Sequence, residues 1–443
     1  MRVAVIGAGP SGLAVARALQ KEGIKIQGFE ASHGVGGLWD ITNPRSTMYE
    51  SAHLISSRTT TEFDEFPMRS TADYPSHEVL HKYFEEYADH FSLTELFQFK
   101  TQVTKLEPHP SGGWALETQT LTKTGKPKKD GKQTAAFDHV IMANGILAEP
   151  NIPAFKGNFT GEIMHTSLYK NGKQLEGKRT LIVGAGNSGC DIAVDAVHFA
   201  KEIDMSVRRG YYFVPRYIFG RPSDTLNQGK PLPRTIKQFL DKWMLRAFTG
   251  DPTRFGFPKP RYKIYESHPI INTMVLNHLG QGDLEIRADI ERFEGKIVHF
   301  VDGSSKEYDL ILLATGYKLD YPFVDRKHIN WSCQAPTLYL NIFEPNFNGL
   351  YITGMVEASG LGWQGRYEQG ELIAAYLGAV KNNPKKAKRF RDRVQYSRWP
   401  DLTAGYKYLG LDRMSFYVNK DVYRGIVTKE TADLKKETEY EPR

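Results

Sequence analysis

Apolar and polar positions along the chain follow one rhythm, and it occurs twice. Val3–Ile6 is an unbroken run of small and β-branched apolar residues, the pattern of a strand buried on both faces. A glycine turn follows, then a helical stretch over residues 13–19, then a second strand over 24–29 that ends at Glu30. The same order returns as a strand at 179–183, a glycine turn, a helix over 190–200 and a strand over 205–207. This second copy ends at Arg208 and Arg209. Residues 138–145 and 309–317 share a further form: an aspartate, an apolar run, a small residue and a glycine. Residues 350–355 are one more buried strand closed by glycine. The repeat predicts an α/β fold with two Rossmann-like dinucleotide-binding units.

The rest of the pattern fills in around these units. Residues 76–91 place Val79, Leu80, Tyr83, Phe84 and Tyr87 on one helical face, and 97–106 and 114–120 read as strands. A Lys/Gly turn spans 122–131. Residues 49–67 are polar and rich in Ser and Thr, a loop composition. Residues 211–279 are broken by prolines, with helices expected at 234–249 and 269–279; this reads as an insert in the second unit. A helix is expected over 367–380, and the tail 429–443 is charged and frayed or helical. The second unit is thus inserted in the first. The first unit takes 1–165, the second 166–310 with its insert at about 211–280, and the first resumes over 311–443 with a C-terminal extension.

The two glycine turns carry the chemistry. Gly7, Gly9 and Gly12 form G-x-G-x-x-G with Pro10 and Ser11 between them. Such a turn leads backbone close to a pyrophosphate, and the helix behind it offers unpaired N–H groups and a positive dipole end. Glu30 lies 18 residues after Gly12, where a carboxylate can hold a ribose hydroxyl pair. Gly184, Gly186, Asn187, Ser188 and Gly189 repeat the motif 177 residues later. Here guanidinium groups replace the carboxylate, and arginine pairs with a ribose 2′-phosphate that a carboxylate would repel. The first unit therefore reads as an FAD site and the second as an NADPH site. Paired glycines continue into Gly37, Leu38 and Trp39, and Trp39 either walls an aromatic ring or belongs to the core. Val103, Thr315, Gly316 and Gln364 complete the expected cofactor contacts.

Charge and cysteine usage narrow the setting. Formal charge is 58 − 51 = +7, which suits anionic cofactors. No basic stripe interleaved with aromatics argues for nucleic acid. No apolar run reaches the length of a membrane span. Cys190 and Cys333 form no C-x-x-C and no Cys/His metal spacing. The first strand starts at Val3, without a signal peptide before it, so a reducing, cytoplasmic setting is expected.

Phe159-Thr160-Gly161-Glu162-Ile163-Met164-His165-Thr166-Ser167-Leu168-Tyr169 joins the units and matches F-x-G-x-x-x-H-x-x-x-[Y/F]. With both glycine motifs, the G-G-x-W segment and Ala314-Thr315-Gly316-Tyr317, the chain resembles the flavin-containing monooxygenases from residue 1 to about 380. Related Baeyer–Villiger enzymes have Trp-Pro where this chain has Tyr169-Lys170. The resemblance implies that NADPH reduces FAD and that O₂ then adds to give a C4a-(hydro)peroxyflavin. One oxygen atom passes from it to an amine or sulfide, or is inserted into a small ketone. It also implies a homodimer, tolerance of NADH, and a structural, unit-coupling role for His165. An NADPH oxidase releasing H₂O₂ is the alternative. The family usually has an asparagine six residues beyond the equivalent of Tyr49, where this chain has Ile55. Isoleucine donates no hydrogen bond, so His53 and Ser56, with Ser57 beside them, are the candidates for that catalytic place.

Overall fold

The computed structural model describes residues 1–226 and 232–436. Pro231, in the proline-broken insert, and the end of the charged tail, 437–443, lie outside the described residues. Two five-stranded parallel sheets carry the molecule. In the first, Leu350–Ile352, His139–Met142, Val3–Ile6, Ile26–Phe29 and Phe97–Gln98 lie side by side in that order. In the second the order is Glu162–His165, Leu310–Leu313, Arg179–Val183, Glu202–Ser206 and Glu285–Arg287. Each sheet centres its glycine-motif strand between an aspartate-led strand and the strand that follows the motif helix. The repeat seen in the residues is therefore a repeat in space.

The strand pairings move the crossings away from residues 165 and 310. Glu162–His165 pairs in parallel with Leu310–Leu313, so both belong to the second sheet. The chain thus enters the second sheet before 165 and leaves it after 310. Glu149–Pro150 runs antiparallel to Tyr317–Lys318, where the outgoing and returning segments pass each other.

Helices cover the first sheet. Pro10–Lys21 packs against Gln364–Asn382 so closely that a Cβ on Gly370 would stand 2.9 Å from Val15 Cα. Leu13, Leu19, Leu372, Ile373 and Leu377 are fully buried in this core, with the aromatic residues Phe63, Tyr83, Phe84 and Tyr87 beside them. A three-stranded antiparallel sheet of Thr101–Pro108, Trp114–Leu121 and Pro127–Phe137 flanks the unit. The expected 122–131 turn is shorter than that, because its lysine-rich second half pairs as strand.

The insert holds one long helix, Arg234–Thr249, and a short one, Met274–Gln281. The long helix is inverted. Its polar Gln238 and Asp241 are buried, while Ile236, Phe239, Leu240 and Trp243 are half or more exposed. The buried face is satisfied by polar partners: Gln238 donates to Ile264 O at 2.9 Å, and Asp241 accepts from Lys237 at 2.6 Å and the Tyr265 hydroxyl at 2.5 Å.

Candidate active site

Both glycine turns have the conformation the motif demands. Gly7 and Gly184 sit at φ +103° and +104°, a region L side chains rarely enter. A Cβ on Gly7 would stand 2.6 Å from Ala143 O, and one on Gly12 only 1.8 Å from Gly7 O. The helices they start, Pro10–Lys21 and Asn187–Ala196, have no side-chain cap. Their first N–H groups, which lack intrahelical partners as at any helix start, are thus not taken by a cap and offer a seat for phosphate oxygens. At Gly186 an added Cβ would meet nothing within 4 Å, so the space above the second turn is open.

Both turns open into one cavity of about 500 Å³. Gly7, Gly9, Pro10, Ser11, Glu30, Gly37, Leu38, Trp39 and Val103 line it from the first unit, and Asn187 and Ser188 from the second. Glu30 is fixed by the N–H groups of Ala8 and Ser32, each at 2.7 Å, which leaves its carboxylate lone pairs to accept from ribose. Asn144 reaches the wall as well, and its buried Oδ1 has no hydrogen-bond partner. An orphaned acceptor beside an uncapped helix start suits a hydroxyl-rich cofactor chain. These residues fit FAD at the first cradle and a nicotinamide dinucleotide at the second.

Other expected contacts lie off this wall. Gly12, Gly184, Gly186 and Gly189 shape the turns from below. Gln364 spends its side-chain oxygen on Asp64 N at 3.1 Å. Thr315 Oγ1 donates to Asn151 O at 2.5 Å, and Gly316 O accepts from His165. Arg208 is exposed on the surface beyond the second turn; Arg209 stacks over Tyr211, with Nε 3.2 Å from its hydroxyl. Trp39 answers its open question both ways: it lines the cavity and meets Trp363 edge-on at 6.0 Å.

His53, Ile55 and Ser56 share the wall. His53 donates Nδ1–H to Ser51 O at 2.9 Å, which leaves Nε2 an acceptor. Ser56 exchanges a hydrogen bond with Thr61 at 2.7 Å. The neighbouring Ser57 and Arg58 turn elsewhere: Ser57 N–H goes to Asp224 and Arg58 pairs with Glu62.

The fingerprint motif acts as a staple rather than a wall. His165 is buried; its Nε2–H goes to Gly316 O at 3.0 Å and Nδ1 accepts from Ser167 N at 3.1 Å. Burial lowers its pKa. Tyr169 donates to Asp195, which also takes the Ser51 hydroxyl at 3.1 Å. Tyr49 meets Tyr169 edge-on at 5.7 Å and donates to Asp191 at 3.2 Å. Lys170 Nζ reaches Ser46 O and Met48 O. Gly161 would meet the Phe159 ring at 2.6 Å if it carried a Cβ, so the motif's glycine and phenylalanine lock together. The 46–51 loop of the first unit is thereby tied to the second unit's motif helix.

Sequence reasoning did not find the third part of the wall. Ser223, Asp224, His268, Pro269 and Ile271 arrive from the insert, and Arg413 from the C-terminal extension. Glu357 and Arg366 flank the last strand and its helix. Arg366 stands in the first turn of Gln364–Asn382 and Arg413 in the short turn Asp412–Phe416, and the rest lie in short turns or irregular chain; only their clustering in three dimensions marks them.

A doubled parallel sheet whose two phosphate cradles share one cavity defines an oxidoreductase site for a flavin and a nicotinamide dinucleotide. The chain belongs to the flavin-binding monooxygenase-like family, which it matches over residues 1–397. It is 31% identical over 384 residues to flavin-containing monooxygenase 5 of Oryctolagus cuniculus, covering 81% of this chain and 70% of that one. Among solved structures it resembles S-allyl-L-cysteine S-oxygenase from Allium sativum, with a TM-score of 0.65, 20% identity and coverage of 97% and 88%. It also resembles cyclohexanone monooxygenase from Rhodococcus sp. Phi1 bound to NADP⁺, with a TM-score of 0.70, 19% identity and coverage of 98% and 97%. Among the described residues, no helix is long and apolar enough to cross a membrane.

Proposed function

We propose that this monooxygenase oxygenates a small sulfide, amine or ketone within the shared cavity, with sulfides the preferred class. The balance for a sulfide is NADPH + H⁺ + O₂ + R₂S giving NADP⁺ + H₂O + R₂SO. The observation that carries the reading is the common cavity: Gly9–Ser11 and Asn187–Ser188, the two cradles, line the same space. Bound flavin supplies the two-electron and oxygen chemistry. The chain supplies the rest. Uncapped helix starts hold the phosphates, Glu30 holds ribose, and Arg208 and Arg209 would meet the 2′-phosphate. Trp39, Trp363 and Leu38 exclude water from the reacting region, which protects a reactive oxygen species from wasteful decay. His53 Nε2 and the Ser56 hydroxyl are the polar groups beside Ile55 for orienting the transferred oxygen. Sulfides and amines are favoured over ketones by the resemblance of Tyr169-Lys170, at the fingerprint's end, to the flavin-containing branch; of the two structural relatives, one names a sulfide and the other a ketone. Ile55 supports one further feature: steady leakage of H₂O₂, because this wall position donates no hydrogen bond.

The same reading takes the protein as a cytoplasmic homodimer. Both cysteines are free, as a reducing compartment would keep them. The outward apolar stripe of Arg234–Thr249 gives a second copy a surface to cover. A panel of amines, sulfides and cyclic ketones tests the substrate reading, scored by oxygenated product and by peroxide. Sulfoxide formed in larger share than N-oxide or lactone supports it; peroxide equal to NADPH consumed with every compound rules it out.

A further inference from the structure

One part of the cavity wall is built from four side chains that no dinucleotide motif uses. Glu357 follows the last strand of the first sheet, and Arg366 belongs to the helix Gln364–Asn382. His268 comes from the insert, and Arg413 from the short turn Asp412–Phe416. Arg413 Nη2 lies 3.0 Å from Glu357 Oε2. The Glu357 carboxylate is nearly buried, whereas the Arg413 side chain is 41% accessible. Arg413 also lines the cavity.

The charges here do not balance. Arg366 gives its Nη groups to the backbone carbonyls of Gly362, at 2.6 Å, and Val356, at 3.4 Å; neither is a carboxylate. Two guanidinium groups therefore share Glu357. Burial opposes ionisation of Glu357, but the guanidinium groups of Arg413 and Arg366 override it and hold the group below the usual range. His268 adds no charge, because burial, aided by Arg413, lowers it to about 3. The other ionised groups on the wall are engaged away from this cluster, apart from Asp224 Oδ1, which is buried without a hydrogen-bond partner. Asp224 takes Ser57 N and the Thr60 hydroxyl, Arg45 pairs with Glu149, Glu30 takes two backbone N–H groups, and Asp191 takes Asn272 and Tyr49. Within this cluster two guanidinium groups face one carboxylate, which leaves a local surplus of positive charge at Arg366 and Arg413.

Unused donors stand in the same place. Arg413 Nε and His268 Nε2 are both buried without a hydrogen-bond partner. His268 Nδ1 faces the Tyr417 hydroxyl at 3.4 Å. With that hydroxyl donating to Nδ1, the proton sits on Nε2, which becomes a donor. Buried donors beside an unmatched cation are the elements of an anion site.

We propose that this wall is a carboxylate subsite, and that the substrate is a soft nucleophile, a sulfide above all, carrying a carboxylate on a short tether. The inference rests on the oxygenase reading given above and narrows its substrate class. The carboxylate would lie against Arg413 and Arg366 with His268 Nε2–H as a further donor. The tether would set how far the sulfur stands from this wall. The dinucleotide phosphates have their own seats at the two helix starts, so they do not account for this charge. The nearest competitor is NADPH, because Asn187 Nδ2 donates to Pro269 O at 3.2 Å, next to His268.

The test compares a methylthio-alkanoate with its methyl ester on wild type, Arg413→Gln and Arg413→Lys holoenzymes of matched flavin content. Wild type is expected to prefer the acid at least tenfold in kcat/KM. Arg413→Gln should erase that preference through KM for the acid, with less than a twofold change for the ester, and Arg413→Lys should restore part of it. Titration of oxidised holoenzyme with the acid should perturb flavin absorbance in wild type and not in Arg413→Gln. Equal use of acid and ester by wild type would overturn the subsite. So would a rise in KM for NADPH in Arg413→Gln that is the same with both substrates. Failure of the oxygenase reading has a different signature: peroxide equal to NADPH with both thioethers, while the acid titration still distinguishes wild type from Arg413→Gln and so upholds the subsite.

Discussion

Arg208 and Gly7 show how much a single side chain can be asked to do. Arg208 is exposed beyond the second cradle, free of the first unit's carboxylate logic. Arg208→Ala is expected to raise KM for NADPH about tenfold or more and leave KM for NADH within twofold, since only NADPH carries the 2′-phosphate. A tenfold change is about 1.4 kcal/mol, within reach of one charge-assisted contact. Equal losses for both coenzymes would remove Arg208 from that role. Gly7→Ala would put a methyl 2.6 Å from a backbone carbonyl at positive φ, so purified protein should lose most of its flavin. Full flavin occupancy in that variant would show the turn to be slack. At this scale the sequence was readable where backbone geometry forces a residue type, at the glycines of the two turns; Glu30, Leu38 and Trp39 were expected near the cofactor and line the cavity. It was silent on Asp224, His268 and Arg413, because their positions depend on how irregular chain folds back over the cavity. Gln364 stands at the helix start, where its side-chain oxygen accepts from Asp64 N.

Among the elements, the two sheets and both motif helices were legible because buried strands and tight glycine turns constrain composition strongly. The fingerprint strand was assigned to the wrong side of the crossing. Its residues read as a joint, and only its pairing with Leu310–Leu313 reveals it as an edge strand of the second sheet. The staple built on it has a measurable consequence. Tyr169→Phe removes a hydrogen bond to Asp195 from a fully buried ring, which should cost about 1–3 kcal/mol of stability. If the staple aligns the units, this variant should also release a larger share of its turnover as peroxide at unchanged flavin content. A variant that loses stability yet couples as wild type does would confine the contact to folding. The inverted insert helix was legible as a helix but not as an inverted one, since period alone does not say which face meets the core. Replacing Trp243 with Ser takes a large apolar group off its exposed stripe. If a second copy covers that stripe, light scattering should find the variant shifted toward monomer. An unchanged mass would place the dimer contact elsewhere.

Across the whole molecule, buried imidazoles contribute to the response to acid between pH 6.5 and 4. Burial lowers His139 to about 4 and His268 to about 3, and lowers His165 as well. The unfolded chain takes up these protons near pH 6.5, before the folded chain does. Stability from these groups is therefore complete above pH 6.5 and declines as pH falls toward 4. Each imidazole contributes a slope of at most about 1.4 kcal/mol per pH unit. His139→Gln should flatten the melting temperature against pH over this window by one proton's worth; an unchanged slope would show that His139 is already protonated when folded. The larger claim concerns the shared cavity, in which electrons enter from one cradle and are used at the other. Its most direct measurement is a single turnover of the yellow holoenzyme. NADPH is added without air, the flavin absorbance is followed, and air is then admitted with a thioether present. The account predicts complete bleaching, followed on reoxidation by a sulfoxide yield that approaches one per flavin, with peroxide making up the remainder. Flavin that stays yellow under NADPH, or that reoxidises to peroxide alone, would contradict it.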